Sequence, residues 1–509
     1  MGSLDTAVPA LLFRLDRNAF HHGSLGAARS LGRAGVRVHA FTESVHGPLA
    51  SSRHVRRVYP MPPPTSGSPP SIEAIERVLG RVADRIGRPA VLIPMDDAAA
   101  VAADLLADEL AGRFLLPGGT GVTGLPERLA DKAELVGLCR ELNLPHPETY
   151  APATEEEVRA VVAELGLPVI AKWSRPALLP TGSGLRSTTL VHSRDELLGL
   201  VARTDEAGSR LLVQRMLPGG AGCDWFFHGC FAEGGRLLMG GTGRKELAWP
   251  PRTGLTAVGS WLPHPGIERA ATRLASRIGY RGVLDLDFRR DPATGDYHLL
   301  DANPRPGAQF RLFTDRTGLD VVRALHLMAT GRPVPRVVPV PGRLFVTENY
   351  GLLSALAELP RRRTGPGADG ADGSAARNRS RSGAPLRLRA GGTPLRVETA
   401  WFAPDDPVPF VAMSAGWLGR AVEKALRPLR ERRAGRATGG AGSSGRAVPA
   451  PDAAASGAAT PESTASGAAA GSTAGPAAGT ARPARGSRRE TPGRVAVRAL
   501  RPVRDHFSA

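Results

Sequence analysis

Carboxylate and amide side chains gather at the predicted open end of a β-hairpin within residues 280–311. In VLDLDF, apolar and acidic residues alternate, which places Asp285 and Asp287 on one face of the first strand. DPATGD is a turn. The returning strand leads into three polar residues: Asp301, Asn303 and Arg305. Strand pairing would bring Asp287 near Asp301. Such oxygen ligands suit Mg²⁺ that also holds phosphates, and the arginine suits phosphate or carboxylate. The alternative is an acidic hairpin whose charges are solvated.

Two lysines and a glycine-rich loop precede this hairpin. Lys132 stands at a predicted helix start, and Lys172 ends the predicted strand PVIAK. At Gly182, Ser183 and Gly184 the backbone N–H groups can approach phosphate oxygens without clashing with side chains. The strand LVQRML then ends at glycines, and its backbone can offer adenine a donor and an acceptor. Surface lysines and a hairpin turn explain each feature alone, but their order favours a nucleotide site.

The first 125 residues are predicted to form a small doubly wound parallel sheet. An apolar strand, LLFRL, is followed by a loop at residues 21–24, a helix and the strand VRVHAF. PAVLIPMDD is a buried strand that ends in Asp96 and Asp97. Ligands of such sheets bind beyond the carboxyl ends of the strands, so we expect loop 21–24 and Asp96 at the rim of a site.

Changes in composition divide the chain into four predicted parts. Residues 1–125 form the parallel-sheet domain, and residues 126–335 form the domain that carries the motifs above. Residues 336–433 form an extension that partly packs back, with an Arg/Gly/Ser-rich insert at 361–395 that we expect to be disordered. Residues 434–509 are rich in Ala, Gly, Ser, Thr and Pro without periodicity, so we predict a disordered tail.

The net charge of +18 suggests nucleic-acid binding, but the charge is not spread evenly over the chain. Residues 361–396 and 427–509 together carry +16 of it, and the remainder is close to neutral. We therefore expect no specific nucleic-acid partner. Three cysteines without a CxxC pair argue against disulfides and structural zinc. With no secretion signal and no run of ~20 apolar residues, we expect a cytoplasmic protein.

Residues 410–433 show helical spacing of apolar residues, with basic residues between them. A basic amphipathic helix of this kind can lie on a membrane surface, which would be a weak contact here. The commoner arrangement is a helix that docks on its own domain, and Pro428 disfavours one continuous helix. Both interpretations stay open at this point.

The order of these motifs resembles the ATP-grasp superfamily. The two lysines come first, followed by the glycine loop and then by VQRMLPG. An aspartate comes next, and thirteen residues separate it from DANPR. The resemblance covers about residues 8–335. Within this superfamily the chain is similar to bacterial carboxylate–amine ligases, relatives of D-alanine and D-aspartate ligases and of biotin carboxylase. The resemblance implies an α/β protein with a Rossmann-like N-terminal domain and an α+β ATP-grasp core. It also implies ATP as cosubstrate with Mg²⁺ or Mn²⁺.

The resemblance further implies roles for residues around the nucleotide. Lys132 and Lys172 match the lysines that contact the ATP phosphates, and residues 182–184 match the loop that closes over them. Asp224 is the best match for the acid that binds ribose. The adenine segment comprises three residues, the last two acting through their backbone: Gln214, Arg215 and Leu217. The superfamily usually has Glu at the first of these positions, and an amide oxygen can still accept from adenine's amine.

At the reacting end, Arg305 matches the arginine beside the transferred phosphate, and Lys172 is the second catalytic cation. The implied metal ligands are Asp287, Asp301 and Asn303. Relatives often carry Glu at the second ligand position, where Asp is one methylene shorter. Lys245, in TGRKELAWPP, is proposed as an anion contact near the substrate. Three further candidates for the acceptor side are unranked: Arg311, His228 and His264.

The implied activity is that of an ATP-dependent carboxylate–amine, or carboxylate–thiol, ligase. A substrate carboxylate would attack the γ-phosphate to give an acyl phosphate, and an amine would then displace phosphate. We expect an amino acid or peptide as substrate, and a homodimer. Two alternatives stay open. One is an ATP-dependent carboxylase or carbamoyl-type enzyme that uses bicarbonate, and the other is a nucleotide-binding scaffold without catalysis.

Overall fold

The computed structural model describes residues 3–62, 69–119, 123–180, 182–220, 222–249, 254–358 and 396–438. These residues all belong to the first of two compact units, Met1–Ala458. The predicted insert at 361–395 lies outside the described residues, as does the predicted tail from residue 439 onward. The predicted domain boundaries therefore stay predictions.

A five-stranded, all-parallel sheet forms the N-terminal part of the fold, as the sequence predicts. Its strands are β1 (Ala10–Phe13), β2 (Val38–Thr42), β3 (Val55–Pro60), β4 (Ala90–Pro94) and β5 (Phe114–Leu115). Their spatial order is β3-β2-β1-β4-β5. The helices are α1 (His22–Arg33), α2 (Ile72–Ile86) and α3 (Asp97–Leu105). Alternate β1 residues face opposite cores, one shared with α1 and the other with α2 and α3.

A second sheet has four antiparallel strands and carries the strand with the second lysine. Its strands are β6 (Thr149–Tyr150), β7 (Val169–Trp173), β8 (Thr188–Val191) and β9 (Leu211–Arg215), in the spatial order β6-β9-β7-β8. The helices of this part are α4 (Leu125–Ala130), α5 (Lys132–Glu141), α6 (Glu155–Leu165), α7 (Arg194–Val201) and α8 (Thr204–Ala207). A capping box between Thr154 and Glu157 starts α6.

The third sheet has seven strands and carries the predicted metal hairpin. Its strands are β10 (Asp224–Ala232), β11 (Arg236–Trp249), β12 (Leu255–Trp261), β13 (Gly282–Arg290), β14 (Tyr297–Asn303), β15 (Leu344–Val346) and β16 (Val397–Thr399). Their spatial order is β14-β13-β10-β11-β12-β15-β16, and only β15 and β16 are parallel. The helices are α9 (Pro265–Arg277), α10 (Val321–Ala329), α11 (Glu348–Glu358) and α12 (Val408–Thr438). The mixture of parallel and antiparallel sheets with helices confirms the expected α/β class.

Residues 396–417, called the C-terminal strap below, pack back on the fold as the sequence predicts. Strand β16 extends the large sheet. The Trp401 ring is buried, and its indole N–H donates to Asn349 Oδ1 at 3.1 Å. Arg29 on α1 and Asp406 form a buried ion pair at 2.9 Å. The strap therefore joins the edge of the large sheet to a helix of the parallel sheet.

Helix α12 begins within the strap and continues through Pro428 to Thr438. The structure is thus helical over residues 434–438, where the sequence predicts the tail to begin, and Ala and Arg in this stretch favour helix. The first turns dock on the core through Phe410, Met413 and Trp417. In the part of the chain that the structure describes, no helix combines the length and the apolar character needed to cross a membrane.

Candidate active site

The pairing of β13 with β14 sets the positions of the predicted metal ligands. Asp287 lies directly opposite Asp301, and Asp285 lies opposite Asn303. Leu284, Leu286 and Phe288 point to the other face, into an apolar core. The alternation predicted from VLDLDF therefore brings the three predicted ligands together with Asp285 at one end of the hairpin.

Lys132 reaches this hairpin from the first residue of α5. Asp131 caps the helix by accepting from the backbone N–H groups of Ala133 and Glu134, and Ser174 and Arg175 hold the capping carboxylate. The Lys132 ammonium donates to both carboxylate oxygens of Asp301, at 2.7 and 2.8 Å. A fixed helix start thus aims the lysine at one of the predicted metal ligands.

Lys172 lies beside the same strand but has a different partner. From β7, its ammonium donates to the backbone carbonyl of Leu300 at 3.1 Å. Burial lowers the pKa of Lys172 to about 8, although the nearby Asp301 carboxylate opposes this effect. Within the part of the chain that the structure describes, Lys172 forms no hydrogen bond with a carboxylate.

Lys245 contacts Asp287, the second carboxylate among the predicted metal ligands. Its ammonium lies 2.9 Å from Oδ1 of Asp287. Burial acts to lower the pKa of Lys245, but the combined attraction of Asp287, Asp224 and Asp285 outweighs burial and leaves that pKa raised. Lys245, which the sequence places near the substrate, thus lies at the hairpin itself.

Arg305 is held between two carboxylates from different parts of the fold. Its guanidinium donates to Oδ2 of Asp285 at 2.6 Å, and its Nε lies 3.3 Å from Oδ1 of Asp97 at the start of α3. Burial raises the pKa values of Asp97 and Asp285 to about 6 each, against the opposing effect of Arg305. The arginine is therefore oriented jointly by the parallel sheet and the large sheet.

The predicted rim residues of the parallel sheet have structural partners. Asp96 accepts from the backbone N–H groups of Leu15 and Ala99, so it ties the end of β1 to the start of α3. His21 caps α1 by accepting from Ser24. It is Asp97, the next residue along from Asp96, that reaches the site.

A buried histidine and a glycine lie beneath the Arg305 side chain. Nε2 of His228 lies 3.2 Å from Oδ1 of Asp285, and burial lowers the pKa of His228 to about 3. The neutral ring therefore packs against the carboxylate. A Cβ at Gly307 would lie 2.7 Å from Cγ of Asp285 and would clash with His228. The NPRPG loop thus needs glycine where it covers this pair.

The other two acceptor-side candidates have their own structural roles. Arg311 is buried and forms an ion pair with Glu398 on β16. His264 caps α9 by accepting from the backbone N–H of Ile267, and its ring packs against that of Tyr297 at an angle of 57°. The structure therefore brings only His228 of the three to the Asp285 and Arg305 cluster.

Of the predicted adenine segment, Gln214 lines a narrow cavity of about 10 Å³, about the room of one water. Its lining residues are Lys132, Leu135, Val136, Cys139, His146, Thr149, Lys172, Leu212, Gln214, Leu299 and Leu300. Gln214 donates from Nε2 to Thr149 Oγ1 at 3.1 Å. Arg215 forms an ion pair with Glu148, and Leu217 is buried. An adenine ring needs more room than this cavity offers.

The remaining nucleotide candidates have structural partners or backbone features of their own. Asp224 forms an ion pair with Arg289 at 2.6 Å across β10 and β13. In the glycine loop, Gly182 and Gly184 have φ values of 82° and 71°, which glycine adopts without strain. The Ser183 carbonyl accepts from Arg203 at 2.6 Å. These contacts do not test the implied roles, which stay predictions.

No protein-family model matches the sequence. The chain is 23% identical over 232 residues to the carbamoyl phosphate synthase large chain, C-terminal section, of Methanopyrus kandleri, covering 42% of this chain and 40% of that protein. It is 25% identical over 206 residues to the D-aspartate ligase of Enterococcus faecium, and the match covers 39% of this chain and 49% of that protein. The chain spans less than half the length of either relative. The resemblance to the ATP-grasp superfamily is confirmed.

A solved structure similar to this one is the biotin carboxylase domain dimer of Hydrogenobacter thermophilus 2-oxoglutarate carboxylase, in complex with MgADP, ADP and bicarbonate. It is 17% identical, with a TM-score of 0.48, and the match covers 66% of this chain and 73% of that chain.

The ATP-grasp resemblance implies a metal, and the oxygen donors of the hairpin fit Mg²⁺. Asp287 and Asp301 offer carboxylates. Asn303 donates from Nδ2 to the Asp285 carbonyl, which leaves its amide oxygen as a hard ligand. Among the described residues, no three His, Cys, Asp or Glu side chains are grouped to hold a metal. Both carboxylates carry lysine partners in this structure.

Two residues of the cluster, Asp97 and Asp285, were not among the predicted site residues. For Asp285 the sequence contains a signal, because alternation places it on the face of Asp287. For Asp97 the only signal is its position at the carboxyl end of a buried strand, where ligands of parallel sheets bind.

Proposed function

We propose that this chain is an ATP-dependent ligase of ATP-grasp type that joins a carboxylate to an amine or thiol. One observation carries the proposal: four cations and four carboxylates meet at one end of the β13–β14 hairpin. The cations are Lys132, Lys172, Lys245 and Arg305. The carboxylates are Asp97, Asp285, Asp287 and Asp301. Such a cluster supports the transfer of a highly charged group, because it can neutralise phosphates and stabilise the transition state.

The chemistry would proceed in two steps. A substrate carboxylate oxygen bonds to the γ-phosphorus of ATP while the bond to ADP breaks, which gives an acyl phosphate. An amine nitrogen then bonds to the acyl carbon, phosphate leaves, and the nitrogen loses a proton. Mg²⁺ held by Asp287, Asp301 and Asn303 would neutralise phosphate charge when bound.

Side chains of this chain would supply the remaining parts. Lys132 and Lys172 would hold phosphate oxygens, and Arg305 would face the transferred group from its position between Asp97 and Asp285. Residues 182–184 would exclude water, because an acyl phosphate hydrolyses readily. We further propose an amino acid or a peptide as the substrate.

A second candidate is a carboxylase or carbamoyl-type enzyme that uses bicarbonate. The carbamoyl phosphate synthases among the relatives support it. In both candidates a carboxylate-like oxygen attacks the γ-phosphate, so the same cluster serves both, and they differ in the molecule that is phosphorylated.

The testing experiment measures Mg²⁺-dependent release of ADP by the purified full chain. Pools of amino acids, small carboxylates and bicarbonate are supplied with and without amines. Asp301→Ala removes one carboxylate of the cluster, and Asp296→Ala is the matched control, an exposed carboxylate in the turn of the same hairpin.

We expect release that needs both a carboxylate and an amine, at least 100-fold slower with Asp301→Ala and unchanged with Asp296→Ala. Release with bicarbonate alone would favour the second candidate. Nucleotide binding without release in any pool, or equal release by the two variants, would contradict the ligase proposal.

We also propose a cytoplasmic homodimer without a specific nucleic-acid partner. Light scattering of the full chain at several concentrations tests the dimer, and a constant monomer mass would refute it.

A further inference from the structure

Both carboxylates among the three predicted metal ligands of the hairpin are already paired with a lysine. The Lys132 ammonium reaches both oxygens of Asp301, and the Lys245 ammonium lies 2.9 Å from Asp287. In each pair the lysine is less than a fifth exposed and the aspartate less than a third. Because Asp287 and Asp301 are direct neighbours across β13 and β14, the two ammonium groups pair with neighbouring carboxylates.

These ammonium groups occupy the positions from which a divalent cation would reach the same oxygens. A metal entering here must displace the lysines, or accept two positive charges close by in partly buried surroundings, where charges interact more strongly than in water. The hairpin therefore carries its own counter-cations, and while they stay in place it should bind a metal weakly.

A triphosphate supplies new partners for the ammonium groups. Lysine forms charge-assisted hydrogen bonds with phosphate oxygens as well as with carboxylates. Since Lys132 starts at a capped helix end and Lys245 comes from β11, which β10 separates from the hairpin, the two can turn toward a phosphate chain without moving the hairpin. Each lysine that turns away frees a carboxylate.

We propose that metal and nucleotide binding are coupled by exchange of lysine partners. Without nucleotide, Lys132 and Lys245 neutralise Asp301 and Asp287. With nucleotide, the lysines pair with phosphates and the carboxylates become available to the metal. This inference rests on the proposed ATP site. Because such coupling is reciprocal, the metal also strengthens nucleotide binding by the same factor.

The decisive measurement is the Mn²⁺ affinity of the nucleotide-free protein, followed by the electron paramagnetic resonance signal of free Mn²⁺. Nucleotide is left out because its phosphates bind Mn²⁺ themselves, which would mimic coupling. Lys245→Met removes one pairing ammonium. Lys172→Met is the control for charge alone, since Lys172 is a neighbouring buried lysine that acts on Asp301 through its charge while its hydrogen bond goes to a backbone carbonyl. Asp301→Ala reports whether Mn²⁺ binds at the hairpin at all.

We expect weak binding by the unchanged protein, about tenfold tighter binding by Lys245→Met and less than threefold change with Lys172→Met. Mn²⁺ binding by Lys245→Met should be lost when Asp301→Ala is added. Equal affinities of Lys245→Met and the unchanged protein would overturn the inference, as would equal gains from Lys245→Met and Lys172→Met. Unchanged circular dichroism shows that each variant is folded.

A separate titration with ADP in the absence of metal distinguishes failure of this inference from failure of the proposed function. If the protein binds ADP but Lys245→Met does not change its Mn²⁺ affinity, only the lysine exchange is refuted. No ADP binding by the folded protein would refute the nucleotide site, and the exchange with it.

Discussion

The buried ion pair between Arg29 and Asp406 gives the sharpest test of the fold. Both side chains are almost fully buried, and the Asp406 carboxylate also accepts from Ser52 Oγ at 2.7 Å and from the Arg53 N–H at 3.0 Å. Asp406→Ala would leave the Arg29 guanidinium buried without a carboxylate. Breaking a buried pair on one side costs about 3–5 kcal/mol of unfolding free energy. Arg29 keeps a hydrogen bond to the Trp401 carbonyl at 2.7 Å, so we expect about 3 kcal/mol.

The neighbouring residue provides the control. Asp405 pairs with Arg33, but its side chain is 43% exposed and water screens the charges. Asp405→Ala should therefore lower the free energy of unfolding by less than about 1 kcal/mol. Urea unfolding followed by tryptophan fluorescence compares the two variants, and Trp401 in the strap serves as one of the probes. If the unfolding free energies of the two variants lie within about 1 kcal/mol of each other, the strap is not held by this pair and the reasoning is refuted.

Three further outcomes are expected. Gly307→Ala should abolish turnover, because its Cβ clashes with His228 beneath Arg305; full activity would show that the loop has room. ADP affinity should fall as pH rises from 7 to 9, because Lys172, with a pKa of about 8, loses its charge; calorimetry on Lys172→Met should show a flatter profile. If α12 contacts membranes, Leu418→Glu should lower the fraction of protein that sediments with anionic vesicles. Val45 is about equally exposed elsewhere on the fold, so Val45→Glu should not lower that fraction. Equal sedimentation of the two variants would refute the contact.

The local parts of the site could be predicted from the sequence because they depend on short-range patterns. Alternation within VLDLDF and the turn at DPATGD fix which carboxylates face each other, and the structure pairs Asp287 with Asp301 accordingly. The cap at Asp131 likewise follows from a local rule, and it aims Lys132. Predicting these features requires only residues that are close together in the sequence.

Contacts between distant segments could not be predicted in this way. Arg29 and Asp406 are 377 residues apart, and neither carries a local signal for the other. The pairing of Asp97 with Arg305 similarly joins the parallel sheet to the large sheet. Charge composition predicts that such pairs exist somewhere, but only the packing of α1, α3 and the strap decides which residues meet.

Asp285 and Asp287 show most directly what a local pattern leaves undecided. Both lie on one face of β13, as alternation requires, yet Asp285 is buried with Arg305 while Asp287 is partly exposed with Lys245. The difference arises from the NPRPG loop, which folds back over Asp285 and can do so only because Gly307 has no side chain. Alternation thus determines the face of a strand, whereas the loop beyond the strand determines which carboxylate orients the arginine and which is available to a metal.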